Sequence, residues 1–291
     1  MNTHTNTPND WTSLAAATGV KIQDNQRPHT YQGVSFVADL CRNHRGNLPI
    51  AVEMIHQAAL AGATGVKIQA DDGFEVETHR YLISRAKEEG LKAYVTIRNE
   101  SHLLGPVYGL VDGYKVGSGE CLNRSLVHAA LMNEYGKEVI ISAGGTTQME
   151  WDELMLSKPP VGLTLCECTS SYPNMPDEIR LGFLKNMVEE ARKKDLLARI
   201  GYSDHMPNYH MSLAAIALGA QYIEKHLSLD VLRKDENNAS SISPIAFMNM
   251  VREGREIEAA LKNTKKSVLA REITTGKLAY YRRQYDVEWG I

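Results

Sequence analysis

The sequence predicts a closed (β/α)8 TIM barrel. Three observations lead there: the length, a regular alternation of short β-branched runs with longer segments of helical period, and the lack of a Gly-rich dinucleotide fingerprint after the first strand. The 291 residues, 43% of them hydrophobic, can bury one large core, and a single barrel of this kind takes roughly 250 residues. An open doubly wound sheet is the runner-up.

Strands are expected at 34–39, 64–69, 93–97, 113–118, 139–143, 164–169, 199–203 and 222–226, each a short apolar run ending in polar residues. Between them the 3.6-residue period predicts helices at 48–61, 75–89, 122–135, 179–194 and 211–218, with 244–261 closing the set. Residues 1–30 are rich in Asn, Thr, Asp and Pro and read as an arm or a cap over the barrel floor. The barrel then occupies 31–264, and 265–291 form a C-terminal tail.

Composition removes several function classes. A net charge of -3 leaves no basic excess for neutralising nucleic-acid phosphates. No apolar run approaches the ~20 residues of a membrane-spanning helix, and the N-terminus lacks a signal-peptide layout, so a cytoplasmic protein is expected. The four cysteines show no zinc-like pairing and read as reduced thiols; Cys41 and Cys168 lie near the barrel mouth, but nothing beside them in sequence would activate a thiolate.

In a barrel, chemistry gathers where strands end. Reading those ends gives Asp39 with Asn43 and His44, Lys67 and Gln69, Thr96, then Lys115, Ser118 and Glu120. Ser142 follows, then Ser170 and Tyr172, then Ser203 and His205, and finally Glu224 and His226. Lys67 and Lys115 sit in apolar surroundings, where an unpartnered ammonium is costly. With the hydroxyls of Thr96, Ser118, Ser142 and Ser203 they suit a phosphate or carboxylate; pairing with barrel carboxylates is the plainer alternative. His205 and His226 end adjacent strands and either converge on a divalent ion or act as ordinary hydrogen-bonding residues. A two-histidine site completed by oxygen ligands suits Mn2+, with Mg2+ and Co2+ as alternatives. Glu120 follows a Gly117-Ser118-Gly119 turn, where it meets a sugar hydroxyl, exchanges a proton, or merely favours the start of the next helix.

These motifs resemble the sialic acid synthase family, with its pseudaminic and legionaminic acid relatives. The resemblance runs from about residue 36 to 246 and is carried by Asp39 to Gly46, Val66 to Gln69, Tyr114 to Glu120, Ile141 to Gly144, Cys168 to Pro173, Gly201 to His205 and Glu224 to His226. It implies metal-dependent condensation of phosphoenolpyruvate with a sugar aldehyde to a 2-keto-3-deoxy acid, with release of phosphate, and a homodimer. Carried over residue by residue, Lys67, Thr96, Lys115, Ser118, Ser142, Ser170 and Ser203 match phosphoenolpyruvate-binding positions. His205 and His226 match metal ligands, and Asn43, Gln69, Glu120, Tyr172 and Asn237 fall around the sugar. Asp39, His205, His226 and Glu120 are the catalytic candidates.

The chain also departs from the family pattern. Asp39 stands where relatives have Glu, and Asn237 where they have a sugar-contacting Asp. The stretch from Lys67 to Thr96 is short, which implies a more open mouth, and Thr96-Ile97-Arg98 replaces Thr-Pro-Phe, so Arg98 is a candidate for an acidic acceptor or a plain loop arginine. Residues 266–277 resemble the entrance to the family's C-terminal antifreeze-like domain, which is expected to be missing. Two other functions stay open on the residues: an aldolase or lyase using a lysine Schiff base, and a non-catalytic barrel that binds a phosphorylated ligand.

Overall fold

The computed structural model describes residues 33–105, 107–133, 136–156 and 162–265, with further positions between 267 and 284. The arm expected at 1–30 lies outside the described residues. The chain divides into two compact units, Met1–Glu258 and Ala259–Ile291. In the second, Ala270–Ile273 form a single helical turn.

The first unit holds a closed barrel of eight parallel strands in sequence order. The strands are β1 (Ser35–Asp39), β2 (Gly65–Gln69), β3 (Lys92–Ile97), β4 (Gly113–Val116), β5 (Glu138–Ser142), β6 (Leu163–Cys168), β7 (Arg199–Asp204) and β8 (Tyr222–His226). Around them run α1 (Leu48–Leu60), α2 (Val76–Glu88), α3 (Arg124–Leu131), α4 (Gln148–Leu156), α5 (Leu181–Lys193), α6 (His210–Ala217) and α7 (Pro244–Leu261). The crossover from β3 to β4 carries only short turns, Ser101–Leu104 and Tyr108–Leu110.

Local sequence explains the elements. In α1 the side chain of Asn47 accepts a hydrogen bond from Ile50 N at 3.1 Å, Pro49 fits the first turn, and Ala51, Met54, Ile55 and Ala58 form the buried stripe. Asn123 caps α3 in the same way through Leu126 N at 3.2 Å. Outward residues of the strands, such as Phe36, Val66, Val95 and Ile223, pack with these helix faces in the main core. In α7, Gly254 lies so close to Phe36 that an added Cβ would come within 2.6 Å of the ring.

Strand alternation sends every second residue into the barrel. Val37, Tyr94, Ile140, Cys166 and Tyr222 fill its middle as a separate apolar cluster. Tyr94 fits because β2 and β4 offer Gly65 and Gly113 beside it; a Cβ there would stand 2.8 and 3.0 Å from its ring. One step further along the same inward rows come Asp39, Lys67, Thr96, Lys115, Ser142, Cys168, Ser203 and Glu224. The register sets Asp39 beside both Lys67 and His226, Thr96 beside Lys115, and Ser203 beside Glu224. The packed apolar layer is therefore the floor of a polar mouth.

Candidate active site

The mouth encloses a cavity of about 510 Å³. Its walls include Asp39, Lys67, Gln69, Thr96, Lys115, Ser118, Glu120, Ser142, Ser170, Tyr172, Ser203, His205 and His226, so residues from all eight strand ends meet in one space. Asn43 does not join them. Its amide donates to Leu227 O at 2.7 Å and Ser241 Oγ at 2.9 Å, and its own oxygen accepts from Arg233 at 3.1 Å. Asn43 thus ties the loop after β1 to the segment after β8. The side chain of Asn237 lies outside the described residues.

Glu224 is the hub. It lies on β8 two residues before His226, so strand alternation turns both inward. Its carboxylate takes Lys67 Nζ at 3.0 Å and Lys115 Nζ at 2.6 Å, and accepts from Ser203 Oγ at 3.1 Å and Tyr222 OH at 3.0 Å. Lys67 also reaches Asp39 Oδ2 at 2.7 Å. Burial alone would raise the carboxyl pKa of Glu224, but the two ammonium groups outweigh it and hold the group well below its usual range. Burial likewise works against charge on Lys67, yet Asp39 and Glu224 prevail and raise its pKa. Lys67 is therefore a fixed cation, a poor amine nucleophile for a Schiff base.

Two wall hydroxyls, Thr96 Oγ1 and Ser142 Oγ, are buried with no hydrogen-bond partner among the described residues. Each such group costs about 1–3 kcal/mol in a closed interior, so a pair facing one cavity marks a place where a ligand accepts hydrogen bonds. Gly144 brings two more hydroxyl-bearing loops together: a Cβ on it would fall 2.3 Å from Ser170 Oγ and 2.9 Å from the Cβ of Ser118.

His205 and His226 face each other edge to face with ring centroids 5.3 Å apart. The Nδ1–H of His205 donates to Thr169 O at 2.9 Å, which leaves Nε2 as the acceptor nitrogen. His226 has Nε2 3.3 Å from Asp39 Oδ2, and its Nδ1 is buried without a hydrogen-bond partner among the described residues. Burial lowers both pKa values; the mutual proximity lowers that of His205 further, and Asp39 offsets only part of the effect on His226. Both imidazoles are thus neutral donors near pH 7, the form a metal binds. Among the described residues no group of three or more His, Cys, Asp or Glu is set for a metal, and an ion at this wall would have the two imidazoles as its nitrogen ligands.

Behind this face, Asp204 and Lys225 pair at 3.3 Å on the outward side of β7 and β8. Asp204 also accepts from Ser212 Oγ at 2.5 Å and Met206 N at 2.8 Å, and Lys225 donates to the carbonyl of Met206. That pair pins the two strand ends from which the histidines project. Tyr172 closes one side, its ring 4.2 Å from that of His205. The thiols of Cys41 and Cys168 are pushed up to about 12, chiefly by burial, in keeping with packing residues.

At the rim, the Nη1 of Arg98 donates to Glu120 Oε1 at 2.7 Å, and its Nε lies 3.4 Å from Asp71. Arg42 reaches the same Asp71 at 3.2 Å. The four cations around the cavity, Arg42, Lys67, Arg98 and Lys115, are therefore matched by Asp39, Glu120 and Glu224 on its walls and Asp71 at its edge. The protein alone offers a polar cradle without a net positive field.

Comparison with known proteins decides the lineage: the sequence model of the NeuB family matches residues 70–266, more than half of the chain. The chain belongs to the NeuB family. N-acetylneuraminate-9-phosphate synthase of Homo sapiens is 26% identical over 271 residues, covering 82% of this chain and 74% of that one. N,N'-diacetyllegionaminic acid synthase of Campylobacter jejuni is 29% identical, covering 78% and 77%. The crystal structure of N-acetylneuraminic acid synthetase from Leptospira borgpetersenii serovar Hardjo-bovis, in complex with citrate, superposes with a TM-score of 0.74 at 25% identity, over 87% of this chain and 91% of that one. This NeuB-family barrel is thus a synthase-type enzyme, and the resemblance read from its motifs holds across most of its length.

Among the described residues of this family member, no helix is long and apolar enough to cross a membrane. Glu224 is the functional residue that strand-end reading left without a role. Its signal was present in the alternation that sets it two residues before His226 on an inward row.

Proposed function

We propose that this chain condenses phosphoenolpyruvate with a sugar aldehyde to a 2-keto-3-deoxy sugar acid and releases phosphate. The observation that carries the reading is one cavity holding two pinned ammonium groups, two unsatisfied hydroxyls and two neutral histidines. Phosphoenolpyruvate carries a phosphate and a carboxylate, so its oxygens accept from many donors at once. Lys67, Lys115, Thr96 and Ser142, with Ser118, Ser170 and Ser203, supply them.

In the reaction, C3 of the enol attacks the aldehyde carbon, water adds at C2, and the bond from C2 to the phosphate oxygen breaks. Lys67 and Lys115 hold the anion and meet the charge that leaves with phosphate. Asp39, between Lys67 and His226, is where we assign exchange of the water proton. Gln69, Tyr172 and Glu120 lie on the walls that remain for the sugar. A divalent ion, Mn2+ by ligand type, would be held by His205 and His226 and would supply Lewis-acid polarisation of the aldehyde oxygen. Charge balance favours one: the matched cations and carboxylates of the cavity give no surplus for a ligand with two to three negative charges.

The test is incubation of the whole chain with Mn2+, phosphoenolpyruvate and a panel of aldoses, with phosphate and 2-keto acid measured together. The reading expects the two products in equal amounts. No 2-keto acid with any aldose counts against it, and a borohydride-trapped pyruvate adduct on Lys67 or Lys115 would favour Schiff-base chemistry instead.

A further inference from the structure

Four consecutive loops at the barrel mouth are joined by an arc of alternating charge. Arg42, after β1, bonds Asp71, after β2, at 3.2 Å; Asp71 meets Arg98, after β3, at 3.4 Å; and Arg98 donates to Glu120, after β4, at 2.7 Å. The arc is anchored from beneath. Asp72, next to Asp71, is buried, hydrogen-bonded to His79 Nε2 at 2.9 Å, with His44 Nε2 3.3 Å away. Its far end is unpaired: Glu120 Oε2 is buried without a hydrogen-bond partner among the described residues. That oxygen lies over Gly117, where an added Cβ would come within 2.8 Å of it.

We propose that Arg98 is a positioning residue for the acceptor, holding Glu120 by one carboxylate oxygen so that the other receives a hydroxyl of an uncharged sugar. The inference rests on the condensation reading given above and adds the residue that positions the carboxylate facing the acceptor. An O–H donated to a carboxylate oxygen is among the strong, short hydrogen bonds, and a carboxylate with one oxygen fixed by a guanidinium cannot swing to evade it. The same geometry removes the role that sequence offers Arg98. Its guanidinium is committed to Glu120 and Asp71, and Arg42 to Asp71, so neither arginine is a free receptor for an acidic acceptor.

The test uses the whole chain with Mn2+, phosphoenolpyruvate and the best neutral aldose, and measures KM for each substrate in R98M, R98K, E120Q and R98M/E120Q. R98M is expected to raise the acceptor KM about tenfold, the size of one charge-assisted hydrogen bond, and to leave the phosphoenolpyruvate KM within about twofold. The double variant is expected to match E120Q alone, because both changes remove the same contact. R98K keeps the charge but cannot span Glu120 and Asp71 with one planar fork, so it should fall between wild type and R98M; it also gives the reading should R98M fold poorly. Effects of R98M and E120Q that multiply, a rise in both KM values together, or a wild-type preference for a uronic acid over its neutral aldose would each overturn the assignment of Arg98 with the condensation intact. A wild-type protein that turns over no aldose overturns both.

Discussion

Replacing Glu224 with Gln removes one charge from the centre of the cavity floor while keeping its shape. Lys115 is 1% exposed, and among the described residues Glu224 is its carboxylate partner, at 2.6 Å, whereas Lys67 retains Asp39 at 2.7 Å. E224Q therefore leaves one buried ammonium without a counter-charge. Removing one partner of such a pair costs about 3–5 kcal/mol. For a barrel of this size that lowers Tm on the order of 10 °C. The dependence on pH has a defined sign. The folded-state pKa of Glu224 lies well below the ordinary value of 4.5, so its contribution is full above that value and is lost as acid titrates the folded state. Thermal melts of wild type and E224Q should thus differ most near pH 7 and converge at low pH. An E224Q protein that melts with wild type at pH 7, or a gap that stays constant into acid, would refute the hub argument.

Other consequences are equally open to measurement. T96V and S142A remove buried hydroxyls that have no partner among the described residues, so the unfolding free energy should hold or rise, by up to about 1–3 kcal/mol, while the phosphoenolpyruvate KM rises about tenfold for each; a loss of stability would mean the hydroxyls serve the fold. D39N should lower kcat by about a hundredfold or more with the fold intact, as expected for a general acid–base group, and circular dichroism beside steady-state kinetics separates the two effects. Glu167 on β6 is raised to about 7 by burial, with Arg180 at 3.2 Å offsetting only part. A raised carboxyl contributes most below its unfolded pKa and loses that contribution as pH climbs through about 7, a swing on the order of 3 kcal/mol that E167Q should abolish; parallel stability–pH curves for the two proteins would contradict it.

Strand ends were legible in the sequence because a parallel barrel forces polar residues to the mouth and apolar residues to the middle. Tyr222, Glu224 and His226 show the rule on one strand: floor, hub and mouth at intervals of two. Pairing with barrel carboxylates was one of the two readings that the apolar surroundings of Lys67 and Lys115 allowed, and the structure shows it, but which carboxylate they share was not legible. Nothing local to Lys67 or Lys115 announces that both meet Glu224, 157 and 109 residues away. The partners of Asn43 were hidden for a related reason, since its neighbours in sequence point to the mouth while Leu227 and Ser241 come from the other end of the chain. Arg98 looked free in sequence because Asp71 and Glu120 belong to other loops. Helix α4 escaped the periodicity reading because its apolar residues do not fall on one face; Trp151 alone is buried from its first turns, against Phe183 of α5.

A crystal soaked with Mn2+ and phosphoenolpyruvate tests the central claim most directly. The account predicts an anomalous peak within coordinating distance of both His205 and His226, and phosphoenolpyruvate lying against Lys67, Lys115, Thr96 and Ser142. Phosphoenolpyruvate bound elsewhere, or a metal peak away from the two imidazoles, would contradict it.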